Sequence, residues 1–153
     1  MIGRPTGKVL NSSRCPHCGR YVARDIVCTG IVVKDSKILL VKRSIDPESG
    51  KWALPGGYLS WDETTEEGVA REIREETGID VKIVKLLGVY SGPHRVKTEA
   101  LQNVAIVYLV EPVSNTSAAP LDEVEEVEWV SLDSIPELAF DHNKMIEDYK
   151  RSL

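Results

Sequence analysis

The sequence predicts an α+β domain in which helices pack against a β-sheet. Three observations support this: apolar, β-branched runs separated by polar turns, a capped amphipathic stretch at 65–77, and an apolar helical stripe near the C-terminus. With 153 residues, of which 42% are hydrophobic and 28% charged, the chain has the size and composition of one globular domain. We predict this domain at 25–153, preceded at 1–24 by a polar arm and half of a zinc knuckle.

Six apolar segments have the length and composition of β-strands. They are 26–33, 38–43, 52–54, 81–90, 103–110 and 124–130. The polar segment 34–37 predicts a hairpin turn between the first two strands. After the third, we expect Gly56 and Gly57 to interrupt regular structure and to let the backbone approach a ligand, because glycine has no side chain.

The first helix is predicted by signals at both of its ends. Thr64 is a predicted N-cap, and Glu67, three residues later, completes a capping box. Gly78 has the position of a C-terminal cap, where the backbone adopts the left-handed conformation that glycine favours. The helix is therefore predicted at 65–77.

This helix carries an unusual concentration of acidic side chains. The segment 57–79 contains six glutamates and only two arginines, although like charges four residues apart on a helix cost about 0.2–0.5 kcal/mol per pair. A helical repeat of about 100° per residue places three of the glutamates on one side: Glu72, Glu75 and Glu76. Clustered carboxylates bind hard divalent cations such as Mg²⁺, which usually keeps substrate phosphate oxygens among its ligands. The alternative is a solvated face with intrahelical pairs such as Arg71 with Glu75.

A second helix is predicted at the C-terminus. Asp141 is a plausible N-cap, and an apolar stripe follows at helical spacing: Met145, Ile146, Tyr149 and Leu153. We expect this stripe to pack against the sheet.

The segment 57–79 also matches every fixed position of the Nudix box, Gly-x5-Glu-x7-Arg-Glu-(aliphatic)-x-Glu-Glu-x-Gly-(aliphatic). The chain therefore resembles Nudix hydrolases over 25–153. This resemblance implies an α/β/α sandwich around a mixed β-sheet. It also implies an enzyme that uses Mg²⁺ or Mn²⁺ to cleave the diphosphate of a nucleoside diphosphate linked to another group.

The resemblance implies roles for particular residues. The implied metal ligands are Glu72, Glu75 and Glu76. Arg71 is expected to orient these glutamates through ion pairs, and Glu63 to support the geometry of the loop and helix. Gly56 is expected to offer its carbonyl near the metal, and both Gly56 and Gly57 to contact the substrate.

Diphosphate hydrolysis also needs a group that accepts the proton of the attacking water. In Nudix enzymes this is either a box glutamate or a glutamate of a later loop. The later candidates are Glu123, Glu125 and Glu126, of which Glu123 is favoured by its position six residues before Trp129; the alternative is a solvated strand edge. Arg43, near the expected cleft, is predicted to bind a phosphate, with simple exposure as the alternative.

The substrate is predicted from segments outside the box. The segments 88–93 and 138–142 resemble those of small ADP-ribose pyrophosphatases, which places Pro93 and Phe140 in the predicted substrate site. We expect ADP-ribose or a related nucleotide sugar as substrate. Two alternatives remain open: an enzyme that removes damaged nucleoside triphosphates, and a non-catalytic module that senses a nucleotide.

Three further side chains have two interpretations each. Tyr90 and Trp61, like Phe140, are candidates to stack on a base, with burial in the core as the alternative. His142 is predicted either to contact the substrate or to cap a helix.

The cysteines leave two interpretations open. Cys15 and Cys18 form a Cys-x-x-Cys pair typical of half a zinc knuckle, but no second pair follows. Either the knuckle is degenerate and holds no metal, or zinc is bound there with further ligands from Cys28, His17 or a second subunit.

Charge and hydropathy constrain partners and location. A net charge of −5 argues against non-specific binding to nucleic acid, so a small nucleotide is the expected partner. No apolar run has the length of a membrane span, and the N-terminus lacks the apolar core of a secretory signal, so we expect a cytoplasmic protein with no membrane partner. A homodimer is expected by analogy with the family.

Overall fold

The computed structural model describes residues 14–15, 17–20, 23–97 and 102–153. Their strands are β1 (Asp25–Lys34), β2 (Lys37–Arg43), β3 (Trp52–Ala53), β4 (Gly56–Tyr58), β5 (Val81–Tyr90), β6 (Asn103–Pro112) and β7 (Val124–Ser131). Their α-helices are α1 (Thr65–Thr77) and α2 (His142–Arg151), and one 3₁₀ turn spans Leu132–Ser134. Of the predicted arm and half knuckle at 1–24, residues 1–13, 16, 21 and 22 lie outside the described residues. Neither of the two helices is long and apolar enough to cross a membrane.

The strands form a mixed sheet, as expected. Its order is β3-β2-β1-β6-β5, with β4 also paired to β1 and β7 paired to β2. The pair β1–β6 is parallel, and the other pairs are antiparallel. Strand β1 pairs through Cys28 with Gly57 of β4 and farther along, through Val33, with Ile38 of β2. This change of partner brings β4 and the start of α1 to the side of β1.

The two helices cover opposite faces of this sheet, which confirms the α/β/α sandwich. Successive residues of a strand point to opposite faces. Ile31 packs in the cluster that contains Met145 of α2, whereas its neighbour Val32 packs with Val69 and Ile73 of α1. All five side chains are buried, and each such burial contributes about 1.5–3 kcal/mol. The sheet is therefore held rigidly between two apolar layers.

The predicted caps of α1 are present. The hydroxyl of Thr64 accepts a hydrogen bond from the backbone N–H of Glu67 at 3.2 Å, and the Glu67 carboxylate accepts one from the Thr64 N–H at 2.8 Å. Gly78 closes the helix in the left-handed conformation, with φ of 74°. The bounds predicted for this helix are confirmed, because its start and stop signals are local in sequence.

The expectation that Gly56 and Gly57 interrupt regular structure is wrong, because both lie in strand β4. We expected the backbone of these glycines to approach a ligand closely. In the structure, the close approach is to strand β1. A Cβ atom on Gly56 would lie 2.4 Å from the carbonyl oxygen of Cys28. Only glycine allows this pairing, so the lack of a side chain here permits a strand.

Two expectations about the second helix are also corrected. Helix α2 ends at Arg151, and Leu153 is exposed beyond it, whereas Met145 and Ile146 are buried as expected. Asp141 occupies the N-cap position, but its side chain makes no capping hydrogen bond and instead binds Arg95. The Asp141 carboxylate accepts hydrogen bonds from the Arg95 guanidinium, which the sequence did not predict to lie nearby.

Candidate active site

The predicted acidic helix face lines a cavity of about 280 Å³, which we call the acidic cavity. Its walls carry five acidic side chains: Glu72, Glu75, Glu76, Asp122 and Glu123. The first three come from α1, and they face the same cavity because the helical repeat places them on one side of the helix. The last two come from the segment before β7. The cavity therefore combines carboxylates from two distant parts of the chain.

Arg71 organises the charges beside this cavity. Its Nε and Nη2 atoms donate to the two carboxylate oxygens of Glu63 at 2.8 and 2.7 Å, and its Nη1 donates to Glu72 at 2.8 Å and Glu75 at 3.0 Å. Nη2 also donates to the Tyr58 carbonyl at 3.0 Å. The predicted ion pairs of Arg71 are thus present, and through Tyr58 they attach α1 to strand β4.

Glu63 supports the loop before the helix. Beyond the two bonds from Arg71, it accepts a hydrogen bond from the backbone N–H of Ser60 at 2.7 Å. The Arg71 guanidinium and then this N–H lower the pKa of Glu63 to about 2, so it stays ionised throughout the physiological range. Its structural role agrees with the one that the Nudix resemblance implies.

Glu76 has a different environment. One of its oxygens accepts the Gly56 N–H at 3.0 Å, and no cation contacts it within hydrogen-bond distance in the described structure. Burial raises the pKa of Glu76 to about 8, with nearby Glu72 and Asp122 acting in the same direction. At pH 7 and without a bound cation, this carboxyl is mostly protonated. A buried carboxyl without a protein cation beside it is suited to bind a cationic ligand, which supplies the positive charge that the site lacks.

Gly57 leaves room for the neighbouring carboxylate. A Cβ atom on Gly57 would lie 2.4 Å from the carboxylate carbon of Glu72. Burial raises the pKa of Glu72, while Arg71 opposes that rise. The missing side chain at 57 is therefore what allows a carboxylate to lie against strand β4.

These residues fit a hard divalent cation, although they are not preassembled around one. Among the residues that the structure describes, no three His, Cys, Asp or Glu side chains are arranged to hold a metal ion. Arg71 holds Glu72 and Glu75, and Glu76 is turned toward the Gly56 N–H. The donor set nevertheless consists of carboxylate oxygens beside a glycine cradle, which is the chemistry that Mg²⁺ and Mn²⁺ prefer.

A second cavity, also about 280 Å³, adjoins the first, and we call it the side cavity. Residues on its wall that are absent from the acidic cavity include Val27, Arg95, Val96, Asn103, Phe140 and His142. Six residues line both cavities: Arg43, Ile45, Leu54, Gly56, Gly57 and Tyr58. A molecule that extends from one cavity to the other must therefore pass these shared residues.

Arg43 is fixed at this junction. Its Nε donates to the Pro47 carbonyl at 2.9 Å, and its guanidinium lies 4.8 Å from the centre of the Phe140 ring. Burial lowers its pKa, whereas Glu76 opposes that shift, and an arginine remains charged in either case. The guanidinium is thus a preoriented cation between the cavities, as the phosphate-binding prediction requires.

The loop after β5 contributes Arg95 to the side cavity. Arg95 is buried and donates two hydrogen bonds to the Asp141 carboxylate, at 3.1 and 2.8 Å, and another to the Asn103 side-chain oxygen. Pro93, predicted to contact the substrate, is exposed and lines neither cavity. The chain turns at His94, which has φ of 67°, and the inward residues of this loop are Arg95 and Val96.

The later glutamates separate into two groups. Glu123 lines the acidic cavity, and its backbone carbonyl accepts hydrogen bonds from the N–H of Ser44 at 3.3 Å and from its hydroxyl at 2.6 Å. Glu125 and Glu126 instead lie near Lys42, at 4.0 and 2.8 Å. Of the three candidates, the structure brings Glu123 to the site.

The candidate aromatic residues also differ. Phe140 lines the side cavity, whereas Trp61 is almost fully exposed and lines neither cavity. Tyr90 is buried and donates a hydrogen bond to Asp148 at 2.8 Å, so it belongs to the core. Of these three candidates, Phe140 is therefore the one that the geometry favours for contact with a substrate, and Tyr58 is a further aromatic residue on the wall of both cavities.

Sequence reasoning missed the contributions of Asp122, Arg95 and Asn103. Asp122 has φ of 53° and lies in a polar turn, and Arg95 and Asn103 lie on opposite sides of a loop. Their roles depend on contacts between distant segments. The adjacency of Asp122 to Glu123 was the one local signal for any of them.

The Cys15 and Cys18 pair forms a tight turn, in which the Gly19 N–H donates to the Cys15 carbonyl at 2.9 Å. Cys15 is buried, Cys18 is exposed, and Cys28 is buried within β1. All three thiols are free. Cys28 packs near α1, in the apolar cluster of Val69 and Ile73.

A carboxylate-lined cavity at the junction of a glycine-containing strand and a helix is suited to a hydrolase that uses a divalent cation to act on phosphate anhydrides. A family model described as the NUDIX domain matches residues 24–149 of this chain. The chain belongs to the Nudix family and is a Nudix hydrolase.

Three known proteins illustrate the similarity. The ADP-ribose pyrophosphatase of Methanocaldococcus jannaschii is 44% identical over 131 residues, which span 86% of this chain and 76% of that protein. A MutT NUDIX hydrolase from Burkholderia pseudomallei has a TM-score of 0.74 and 32% identity, with 83% of this chain and 98% of that one covered. The NUDIX domain of Shewanella oneidensis NrtR, in a complex with ADP ribose, has a TM-score of 0.75 and 27% identity, with 86% and 90% covered.

Proposed function

We propose that this protein hydrolyses the diphosphate bond of ADP-ribose in a Mg²⁺-dependent reaction that yields AMP and ribose 5-phosphate. One observation carries the proposal: the acidic cavity and the side cavity meet at Arg43. This arrangement suits a substrate in which a diphosphate is attached to an uncharged sugar or nucleoside. The similarity to a protein named ADP-ribose pyrophosphatase supports the choice of substrate, as does the ADP ribose complex of a structural relative.

The proposed roles follow from the positions of the side chains. Glu72, Glu75 and Glu76 would hold Mg²⁺ or Mn²⁺, which neutralises developing charge on the diphosphate and lowers the pKa of bound water when present. Arg43, at the boundary between the two cavities, binds a phosphate oxygen. Its planar guanidinium is suited to that contact, because it can donate two parallel hydrogen bonds to one phosphate.

Proton transfer is proposed to involve Glu123 or a box glutamate. Glu123 lies on the wall of the acidic cavity, and two hydrogen bonds from Ser44 anchor its backbone. A carboxylate there accepts the proton of the attacking water, which avoids forming hydronium at neutral pH. Asp122, on the same wall, adds negative charge that favours cation binding.

On the basis of the family resemblance and the sequence, we further propose a cytoplasmic homodimer. The charge of −5 supports a small nucleotide as partner in preference to nucleic acid. Sedimentation of the purified chain tests the dimer directly.

The function is tested by product analysis on a panel of ADP-ribose, UDP-glucose, a nucleoside triphosphate and an oxidised nucleoside triphosphate. Each reaction is run with Mg²⁺ and with EDTA, and the products are separated by anion-exchange chromatography. We expect AMP and ribose 5-phosphate from ADP-ribose with Mg²⁺ only. Preferential release of diphosphate from triphosphates would contradict the substrate, and binding of ADP-ribose without any turnover would favour a sensing module.

A further inference from the structure

His142 lies at the first position of α2, on the wall of the side cavity, and is only 5% exposed. Its Nδ1 atom accepts a hydrogen bond from the backbone N–H of Leu54 at 3.0 Å. This contact joins α2 to the segment between β3 and β4. His142 is predicted either to contact the substrate or to cap a helix, and its side chain does not cap its own helix, because Nδ1 is bonded to a residue outside that helix.

The bond to Leu54 determines where the proton of the imidazole lies. A neutral imidazole has one nitrogen that accepts and one that donates, so an accepting Nδ1 requires the proton on Nε2. Burial, with Arg95 and Arg43 acting in the same direction, lowers the pKa of His142 to about 3, and the ring is therefore neutral at pH 7. Its Nε2–H donates to no acceptor among the described residues, although the ring has very little exposure.

The position of this donor is fixed by its surroundings. The ring lies edge-on to Phe140, with 5.3 Å between centroids and an interplanar angle of 61°. The preceding residue, Asp141, is held by the two hydrogen bonds from Arg95. Because its neighbours restrain it, the ring loses little conformational freedom when a ligand binds.

Three charged side chains line the side cavity, Arg43, Asp46 and Arg95, and of these the buried Arg95 is already matched. Arg95 is neutralised by Asp141 and also bonds Asn103, while Arg43 stacks on Phe140 at the shared boundary. A phosphate therefore finds its cation at Arg43, at the entrance to the acidic cavity. On the wall of the side cavity, His142 offers a neutral donor, which suits an uncharged group with a hydrogen-bond acceptor.

We propose that His142 is a specificity-determining residue, whose Nε2–H donates a hydrogen bond to an acceptor atom of the sugar or base that occupies the side cavity. This inference rests on the proposed function, since it assumes a diphosphate-linked substrate that spans both cavities. It assigns the uncharged half of that substrate to the side cavity. A substrate analogue without an acceptor at that point would shield this N–H from water and leave it unpaired, and would therefore bind less well.

Two substitutions separate the two nitrogens of the ring. In His142→Asn, the side-chain oxygen can take the place of Nδ1 and keep the bond from Leu54, but no donor remains at the Nε2 position. In His142→Gln, the amide N–H reaches the Nε2 position, but the acceptor for the Leu54 N–H is lost. His142→Asn therefore tests the contact with the ligand, and His142→Gln tests the support of the fold.

The experiment measures the affinity of each protein for ADP-ribose by isothermal titration calorimetry in EDTA, where no turnover occurs, together with the melting temperature. For His142→Asn we expect a nearly unchanged melting temperature and a Kd raised about 3- to 10-fold, the effect of one neutral hydrogen bond. For His142→Gln we expect a lower melting temperature and a Kd within about 2-fold of that of the native protein. Titrations with AMP and with ribose 5-phosphate show which half of the substrate loses affinity in His142→Asn.

The possible failures are distinguishable. If the native protein binds and hydrolyses ADP-ribose but His142→Asn binds it equally well, this inference is overturned and the proposed function stands. If the affinities of both variants simply follow their melting temperatures, His142 has only a structural role and the inference is also overturned. If the native protein neither binds ADP-ribose in EDTA nor hydrolyses it with Mg²⁺, both the proposed function and this inference fail.

Discussion

Replacing Arg71 by alanine is expected to destabilise the fold substantially. The guanidinium donates five hydrogen bonds, to Glu63, Glu72, Glu75 and the Tyr58 carbonyl. The side chains of Glu63 and Glu72 are only 12% and 15% exposed, so without Arg71 two poorly solvated carboxylates lose their cation. The substitution also removes one side-chain link between α1 and β4, whereas the bond from the Gly56 N–H to Glu76 remains.

The expected loss follows from these contacts. Removing one partner of a fully buried ion pair costs about 3–5 kcal/mol. Because 29% of the Arg71 side chain is exposed, water compensates part of this loss, and we expect about 2–3 kcal/mol. In a chain of this length, 1 kcal/mol corresponds to about 2–4 °C, so the melting temperature should fall by about 4–12 °C.

Arg74→Ala is the matched control, since Arg74 lies on the same helix and also pairs with a carboxylate. Its side chain is 65% exposed, and its partner Asp80 is 54% exposed, so the loss should remain below about 1 kcal/mol. Thermal denaturation followed by circular dichroism in EDTA compares the two variants. Equal melting temperatures for Arg71→Ala and Arg74→Ala would show that the hydrogen bonds and ion pairs of Arg71 do not stabilise the fold more than an exposed ion pair does.

Three further predictions concern the two cavities. Because the pKa of Glu76 is raised from 4.5 to about 8, the folded metal-free protein keeps a proton that the unfolded chain releases, so its stability should fall as pH rises from about 4.5 to 8. Glu76→Gln should flatten this decline in melting temperature measured in EDTA; an unchanged slope would contradict it. Gly57→Ala should displace the Glu72 carboxylate and weaken Mn²⁺ binding measured by calorimetry, whereas Gly88→Ala, whose Cβ would meet only ordinary contacts, should not. Arg43→Lys keeps the charge but loses the planar fork, so KM for ADP-ribose should rise about 10-fold, worth about 1.4 kcal/mol, in steady-state assays; an unchanged KM would argue against phosphate binding there.

The sequence predicted the elements whose signals are local. The capping box at Thr64 and the terminal Gly78 determined helix α1, because each bond in these caps joins residues a few positions apart. The hairpin between β1 and β2 was predicted from its polar turn, in which Asp35 and Ser36 adopt positive φ. The spacing of the box glutamates predicted their common face for the same reason, since helical geometry follows directly from sequence separation.

The remaining features depend on contacts between distant segments. Strand β4 escaped prediction because its pairing relies on the close approach of Gly56 to β1, which no local pattern reveals. Likewise, Asp141 looks like a helix cap, but Arg95, 46 residues away in sequence, takes its carboxylate. The side cavity exists only after such contacts have formed, so its walls were the least predictable part of the site.

We propose that Glu76 belongs to a divalent-cation site at which the protein hydrolyses a diphosphate. The most direct test measures ADP-ribose turnover during a Mg²⁺ titration for the native protein, Glu76→Gln and the exposed control Glu128→Gln. Since loss of an outer-shell partner of a metal already costs about 10- to 100-fold, we expect Glu76→Gln to lose more than about 100-fold in kcat/KM, and Glu128→Gln to retain native turnover. Native Mg²⁺-dependent turnover by Glu76→Gln would show that the Glu76 carboxylate is not a ligand that the reaction needs.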